Sequence, residues 1–482
     1  MRGPEGEGVA GVMTSGAARS VECVVVGAGG AGLAAAATAA RHGARVMLVD
    51  DNAEPGGRHL RPRPAHPADD ELHRLGPEQS EGHRLMDEVV ASEVEVRLGT
   101  VAWGVFDGSI VALASADGAE RVHARTLILA PGGTDRPVPF PGWTLSGVIG
   151  GSAARSLAGA PGSLAGRRVL VAGSGASLLA LARDLLRAGV RVVAVCEAAS
   201  MLGLWRQAPH LLSHLDAAQA ALRAWQEIRA AGVPILAGHL IRRAVGAAEV
   251  AGAVVSRCDP EWRPVDGTER GFDVDAVVVD YGLTPASELA RLAGCVHWYA
   301  AEADAWLPER TRDLEGSAPG VFVVGEAAGA RGPAKAMAEG RLAGLVVAGR
   351  LDRLVGRAYD KERARARGRL LHLDGLSRAL DRIYRVGPGL YELADEATVL
   401  CRCEGVSVGD ALGAVADGAM EVNEVKAATR AGMGRCQGRM CGPALAHLIA
   451  RGTRRPVSEA GVLTPRPPIR PVLLGALAQE TI

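Results

Sequence analysis

Twice in this chain an apolar strand runs into a glycine-rich turn, an Ala/Leu-rich helix, a second apolar strand and an acid, once over residues 21–50 and again over residues 169–197. This is the layout of the nucleotide-binding βαβ unit, and two copies commit most of the chain to an α/β fold. The first copy carries Gly27-Ala28-Gly29-Gly30-Ala31-Gly32 directly after an apolar strand and ends at Asp50. Gly27 permits the tight turn, Gly29 lets backbone approach a pyrophosphate, and Gly32 allows close helix–strand packing, while the helix N-terminus supplies free amides and a favourable dipole. Asp50 is then expected to hydrogen-bond a ribose hydroxyl. The uncharged run 23–40 has nearly the length of a membrane helix, but its glycines separate an apolar half from an Ala-rich half. It therefore reads as strand, turn and helix, and no transmembrane segment is expected.

The second copy is weaker. Gly173-Ser174-Gly175-Ala176-Ser177-Leu178 keeps two glycines, places Leu178 where the third belongs, and its second strand ends at Glu197. Leucine at that contact is expected to push the helix outward and to spoil pyrophosphate approach. The unit reads either as an NAD(P)H site or as a Rossmann-like domain that is empty or holds another nucleotide.

A chain of 482 residues has room for two to four cores. The expected division is a flexible extension over 1–18, a first nucleotide domain over 19–148 and 286–351, and a second inserted over 149–285. A helical arm over 352–396, a cysteine domain over 397–452 and a proline-rich tail over 453–482 complete it. Strands expected at 275–280 and 320–325 return the chain first from the insert and then to the first sheet, before a helix around 335–351. Pro456, Pro465, Pro467, Pro468 and Pro471 exclude regular structure from the tail, which is expected to lie extended over another surface. Lys+Arg and Asp+Glu balance at 54 each, so nothing points to nucleic acid or an acidic membrane. The glycine-rich start lacks the pattern of a signal peptide, and a cytoplasmic location is expected.

Of eight cysteines, Cys23, Cys196, Cys258 and Cys295 stand singly and read as small buried hydrophobes. The other four form Cys401-x-Cys403, 32 residues, Cys436-x4-Cys441, a set that suits a metal centre better than disulfides. Four thiolates can hold a [2Fe-2S] cluster or a tetrahedral zinc, and the Cys-x-Cys spacing favours iron–sulfur over the Cys-x2-Cys knuckles of zinc. Ser407-x-x-Asp410 has the form of a capping box, helical character runs from Glu421 to Ala431, and Pro443 suits the first turn of a last helix. Both cysteine pairs are thus expected on glycine-containing loops at helix ends. Arg402, Arg430, Arg435 and Arg439 either offset the charge of a cluster or form a solvated face.

Several motifs resemble those of two-dinucleotide-domain flavoproteins. Leu127-Ile128-Leu129-Ala130-Pro131-Gly132 resembles their "Ala-Thr-Gly" signature with Pro131 for threonine, and Val321-Phe322-Val323-Val324-Gly325-Glu326 resembles their second FAD signature with Glu326 for aspartate. Gly56-Gly57-Arg58 matches a stretch those proteins place near the cofactor. The resemblance implies FAD contacts at Gly27, Gly29, Gly32, Asp50, Gly57, Arg58, Val101, Ala130, Gly132, Gly325 and Glu326. No cysteine pair stands near Gly56, where the disulfide reductases of that group carry theirs, so disulfide reduction is excluded.

With Pro139-Phe140-Pro141-Gly142-Trp143-Thr144, Tyr281-Gly282-Leu283, Cys401-Arg402-Cys403-Glu404 and the run from Ala431 to Arg439 added, the chain resembles one family over nearly its whole length. This is the alpha (A) subunit of heteromeric FAD-dependent amino-acid dehydrogenases, a family that takes in opine oxidase, D-hydroxyproline dehydrogenase, L-proline dehydrogenase and the B subunit of hydrogen cyanide synthase. Its cysteine segment resembles the bacterioferritin-associated ferredoxin-type [2Fe-2S] domain.

The resemblance implies an α/β two-dinucleotide-binding-domain flavoprotein, a Rossmann-like FAD domain with an inserted NAD(P)-type domain, plus a small helical [2Fe-2S] domain held by Cys401, Cys403, Cys436 and Cys441. It implies an electron-transferring subunit of a hetero-oligomeric oxidoreductase acting on CH–NH bonds of an amino acid, imino acid or opine. Its partner would be a glycine-oxidase or sarcosine-oxidase-like FAD beta subunit, with a downstream acceptor to take the electrons. Some relatives hold FMN at the subunit interface and some bind ATP in the nucleotide domains; neither is assigned by these residues. No catalytic acid–base set stands out, and His59, His210, His214 and His239 read as ordinary residues. The alternatives are a self-contained NAD(P)H-dependent reductase feeding the cluster and a scaffold without redox function.

Overall fold

The computed structural model describes residues 19–61, 77–158, 163–200 and 215–478. The expected extension 1–18, the stretch after Arg61, and His210 and His214 lie outside the described residues. Strands Glu95–Arg97, Val46–Val49, Arg19–Val26 and Gly118–Leu129 lie side by side in a first sheet, and Val321–Val323 adds beside the end of Gly118–Leu129. Val26 faces both Val49 and Leu129, and Leu129 faces Val323, so the strand ends align where the Gly27 turn begins. Val24, Val25, Leu127 and Ile128 are buried on both faces, as parallel strands covered on two sides require. Gly118–Leu129 is long because its first half also pairs antiparallel with Ile110–Ser115, which pairs in turn with Val101–Phe106.

Helices Gly30–Arg41 and Pro333–Arg350 cover one face. They meet backbone to backbone, for a Cβ on Gly340 would lie 2.0 Å from the Ala31 carbonyl oxygen and one on Gly344 2.4 Å from that of Ala35. The alanines of the first helix thus serve close approach rather than bulk.

The second sheet is parallel throughout, in the order Ile235–Ala237, Arg191–Glu197, Arg168–Gly173, Ala276–Asp280, Val148–Gly150. A three-stranded antiparallel sheet of His239–Val245, Gly252–Arg257 and Arg270–Asp273 accompanies it. The chain crosses between the two nucleotide units twice, and the crossings pair as an antiparallel ribbon, Gly133–Asp135 against Leu283–Pro285. Leu178 is fully buried beneath helix Ala176–Arg187, where the missing side chain of Gly173 gives it room: a Cβ there would lie 3.0 Å from Leu178 Cδ1.

The Arg-rich segment is a single 28-residue helix, Gly356–Ile383, tied down by ion pairs Arg331–Asp381, Lys335–Asp374 and Arg367–Asp313. Beyond it come a 3-10 turn at Pro388–Glu392, a small hairpin of Val399–Cys401 and Val406–Ser407, and helices Val408–Ala416, Val422–Thr429 and Gly442–Thr453. The Ser407/Asp410 capping box is present, and Pro443 stands in the first turn of the last helix. Leu400, Val408, Leu445 and Ile449 share one hydrophobic core with Phe140, Trp143 and Leu170, so the cysteine unit and the second nucleotide unit bury apolar surface together. The tail crosses back over the first unit, where the Ile469 amide donates to the Trp103 carbonyl at 2.9 Å and the Ile469 side chain enters the core. It is not wholly irregular: single helical turns at Val457–Ala460 and Leu474–Ala478 fit in the proline-free stretches on either side of the Pro465–Pro471 run.

Candidate functional site

The first glycine loop is shaped by backbone contact. Gly27 has φ +103°, and a Cβ on it would lie 2.2 Å from the Ala130 carbonyl oxygen; one on Gly32 would lie 1.7 Å from that of Gly27. Only glycine fits either place. Beside Gly29 a Cβ would meet nothing nearer than Gly57 Cα at 4.0 Å, and the helix that starts there has neither a side-chain cap nor an acid in its first turn. Its leading amides are therefore available to an anion. Asp50 is buried and already braces the loop: its carboxylate accepts from the Ala28 amide at 2.6 Å and from the Asn52 amide and side chain at 2.9 and 2.7 Å.

Around this loop the structure gathers the other expected contacts. Gly57 approaches Gly29 closely, Gly325 packs on Ala31, and Gly132 lies near the Glu326 carboxylate, at 3.8 Å from the position a Cβ would take. Ala130 sits beneath Gly27. Glu326 and His59 are 3.0 Å apart, so His59, read from sequence as ordinary, stands at the site. Burial works to raise the Glu326 carboxyl, but the His59 hydrogen bond and the nearby charges of His59, Arg58 and Arg331 outweigh it and hold it below the usual range. Arg58 turns toward the crossing ribbon, pairing with Asp135 at 2.8 Å and donating to the Gly133 carbonyl. Val101 follows Thr100, whose amide donates to the Asp50 carbonyl, but its side chain packs on the Trp103 and Ala112 patch.

The second glycine loop is ringed by acids. The Gly175 amide donates to Glu197 at 3.2 Å, Ser177 Oγ to Asp280 at 3.2 Å, and the Ser152 amide at the next helix start to Asp135 at 2.9 Å. Burial pushes Glu197 up to about 7, and burial with the neighbouring Asp135 raises Asp280. Helix Ala176–Arg187, like the first helix, has no side-chain cap and no acid in its first turn, and Glu197 braces its loop as Asp50 braces the first; the difference is that Asp280 and Asp135 add negative charge at the second loop, while Leu178 lies buried beneath the helix.

The four clustered thiols form two pairs that cross the sequence spacing. Cys403 and Cys436 have sulfurs 3.9 Å apart, and Cys441 hydrogen-bonds Cys401. That bond, joined by the amides of Gly432, Glu404 and Cys403, brings Cys401 down to about 5, and the same bond with burial drives Cys441 up. Among the described residues no three His, Cys, Asp or Glu side chains converge on one ion. Two pairs instead suit two irons, with amides aimed at sulfur. Gly434 makes room for this arrangement, since a Cβ there would lie 2.1 Å from Cys403 Cβ. Cys401 ends a strand rather than lying on a loop, while Cys441 caps the last helix as expected.

Of the four arginines near the thiols, Arg402 lies over the Trp143 ring at 5.1 Å, Arg430 pairs with Glu404, and Arg439 joins Glu288 to the Cys436 carbonyl. Sequence reasoning missed a buried network outside both motifs: Arg136, Asp304, Tyr391 and His447, from four separate segments, meet within 2.6 to 3.0 Å. No local pattern marks those residues. Among the described residues no helix is long and apolar enough to cross a membrane.

Residues 21–346 match the family described as pyridine nucleotide-disulphide oxidoreductase, and residues 399–451 match the BFD-like [2Fe-2S] binding domain. The A subunit of opine oxidase from Rhizobium meliloti (strain 1021) is 33% identical, covering 95% of this chain and 98% of its own length. Hydrogen cyanide synthase subunit HcnB of Pseudomonas aeruginosa is 32% identical, covering 94% and 97%. Among solved structures, L-proline dehydrogenase from P. horikoshii shares the fold with a TM-score of 0.67 at 19% identity, covering 95% of this chain and 80% of that one. With a glycine loop fit for a dinucleotide, four paired thiols and these matches, the chain belongs to the FAD-dependent pyridine nucleotide-disulphide oxidoreductase family, with a BFD-like [2Fe-2S] binding domain at residues 399–451, and is similar over nearly its whole length to HcnB and the A subunit of opine oxidase.

Proposed function

We propose that this chain is the electron-transferring flavin and iron–sulfur subunit of a heteromeric dehydrogenase that oxidises an amino acid, imino acid or opine, with proline or hydroxyproline as examples of the secondary amine. Its partner is a glycine-oxidase or sarcosine-oxidase-like FAD subunit that performs the oxidation. The observation that carries this reading is a difference in charge between the two glycine loops: the first is braced by one strand-end acid, Asp50, whereas in the second Glu197 is joined by Asp280 on Ser177 and Asp135 on Ser152, which disfavour an anionic dinucleotide. A reductase drawing on NAD(P)H needs the second loop; a relay fed by a partner does not.

Bound flavin accepts an electron pair and a [2Fe-2S] cluster carries single electrons, so together they supply a two-to-one relay. Gly27, Gly29, Gly32, Gly57, Ala130 and Gly132 would shape the cofactor's channel, and the amides at the start of helix Gly30–Arg41 would hold its pyrophosphate. Asp50 stiffens the loop and offers its remaining lone pairs to ribose. Glu326, kept ionised by His59, would face the cofactor's polar chain together with Gly325. Arg58 ties the loop to the second unit through Asp135. Cys401 with Cys441, and Cys403 with Cys436, would hold the irons.

The test is anaerobic spectroscopy of the purified chain with flavin, iron and sulfide assays, followed by co-expression with a glycine-oxidase-like partner and secondary amines. One FAD, two irons and two sulfides per chain, unbleached by NADPH or NADH and reduced by amine only with the partner, is the expected result. A second flavin in the complex, released as FMN, would place that cofactor at the subunit interface. Bleaching by NAD(P)H without a partner would establish the self-contained reductase instead.

A further inference from the structure

We infer that Asp304 is a positioning residue that fixes the iron–sulfur unit against the flavin unit, an assignment that rests on the relay reading above. Asp304 lies in the turn between strands His297–Ala300 and Ala305–Pro308, with φ +48°, a left-handed conformation that aspartate tolerates better than most residues. Its side chain is 7% exposed and its partner Arg136 only 1%. Arg136 donates to it at 2.6 Å, Tyr391 Oη at 3.0 Å and Tyr299 Oη at 2.5 Å, and His447 Nε2 lies 2.7 Å away. The Tyr391 and His447 rings stack with centroids 4.0 Å apart.

Each partner comes from an element that leads to one of the two cofactor regions. Arg136 directly follows the crossing strand Gly133–Asp135, next to Gly132. The Asp304 hairpin touches the flavin side as well, since a Cβ on Gly329, just after the turn Gly325–Ala328 that carries Glu326, would lie 3.0 Å from Leu307. Tyr391 sits in the turn that leads to Val399–Cys401, and His447 lies on the helix capped by Cys441. Asp304 thus joins, through buried charge, the elements that carry the flavin loop and the ligand thiols.

A buried ion pair is no better for stability than well-packed apolar residues, because desolvation offsets its attraction. What it adds is direction: a carboxylate with four donors around it accepts a single arrangement, whereas apolar surfaces can slide. In a relay, the separation of donor and acceptor sets the transfer rate, so a device that admits one docking geometry acts on rate even where it adds little stability.

The test uses the full chain with both cofactors. His447→Phe keeps the ring that stacks on Tyr391 and removes the bond to Asp304; Tyr391→Phe keeps the ring and removes the hydroxyl. Flavin is photoreduced and the rate at which the cluster's absorbance bleaches is followed, with flavin and iron content and the cluster's EPR spectrum as controls. Hydrogen exchange of helix Gly442–Thr453 is measured in cofactor-free protein. For His447→Phe, normal cofactor content and EPR, faster exchange of that helix and transfer slowed about tenfold or more are expected. Unchanged rates in both variants would overturn the positioning role, as would loss of the cluster in both, which would make the network an element of folding only. A cluster that flavin never reduces in the unaltered chain would instead refute the relay itself.

Discussion

The indole Nε1 of Trp143 donates to the Val399 carbonyl at 2.6 Å, two residues before Cys401, a proposed cluster ligand. The turn that leads into the second nucleotide unit therefore braces the first strand of the cysteine unit, and Arg402 closes over the same ring while donating to the Thr144 carbonyl. Trp143→Phe keeps most of the packing and leaves that carbonyl without its donor, a loss of about 1–3 kcal/mol. Faster release of iron to a chelator, with flavin content unchanged, is the expected outcome.

What a methyl group would meet separates Gly32 from Gly43. Gly32→Ala places a methyl 1.7 Å from the Gly27 carbonyl oxygen and is expected to abolish flavin binding, read as the ratio of flavin to protein absorbance. Gly43 has φ +84° but no atom within 4 Å of its Cβ position. Gly43→Ala should cost only about 1–2 kcal/mol of backbone strain and retain full flavin content.

Glu197 titrates in the neutral range because burial disfavours its charge, moving it from 4.5 to about 7. Its folded-state value lies above its unfolded one, so its contribution to stability is complete below pH ~4.5 and lost as pH rises through 7. The displacement corresponds to ~3 kcal/mol between those limits. Glu197→Gln should raise the Tm at pH 8 and leave it nearly unchanged at pH 5. An equal effect at both values would show that Glu197 stays charged in the fold.

Asp304 has the opposite sign. Burial alone would raise it, but Arg136 and His447 hold it at about 2, below its unfolded value near 4. Its stabilisation is present above pH ~4 and disappears as pH falls through 2. Asp304→Asn leaves Arg136 buried without a counter-charge, and a loss of about 3–5 kcal/mol at pH 7 is expected. Urea unfolding followed at pH 7 and pH 3 should show the gap between variant and parent narrowing at the lower pH.

Local features of the chain were enough to determine both βαβ units, the strands that return to them, the capping box at Ser407 and the four clustered cysteines. Each is written over a few neighbouring residues: a glycine where backbone must touch, an apolar run where a strand is covered on both faces, thiols at a metal-binding spacing. The arm's single long helix was only partly legible, because its ion pairs to Asp313, Arg331 and Lys335 reach outside the segment. Only the tertiary structure decided which thiols pair, that His59 meets Glu326, and that acids ring the second loop. It also decided the network at Asp304, whose partners Arg136 and His447 stand 168 and 143 positions away. A lone buried charge has no sequence period and no fixed spacing; what makes it tolerable is a partner delivered by another element, and that exists only once the chain has folded.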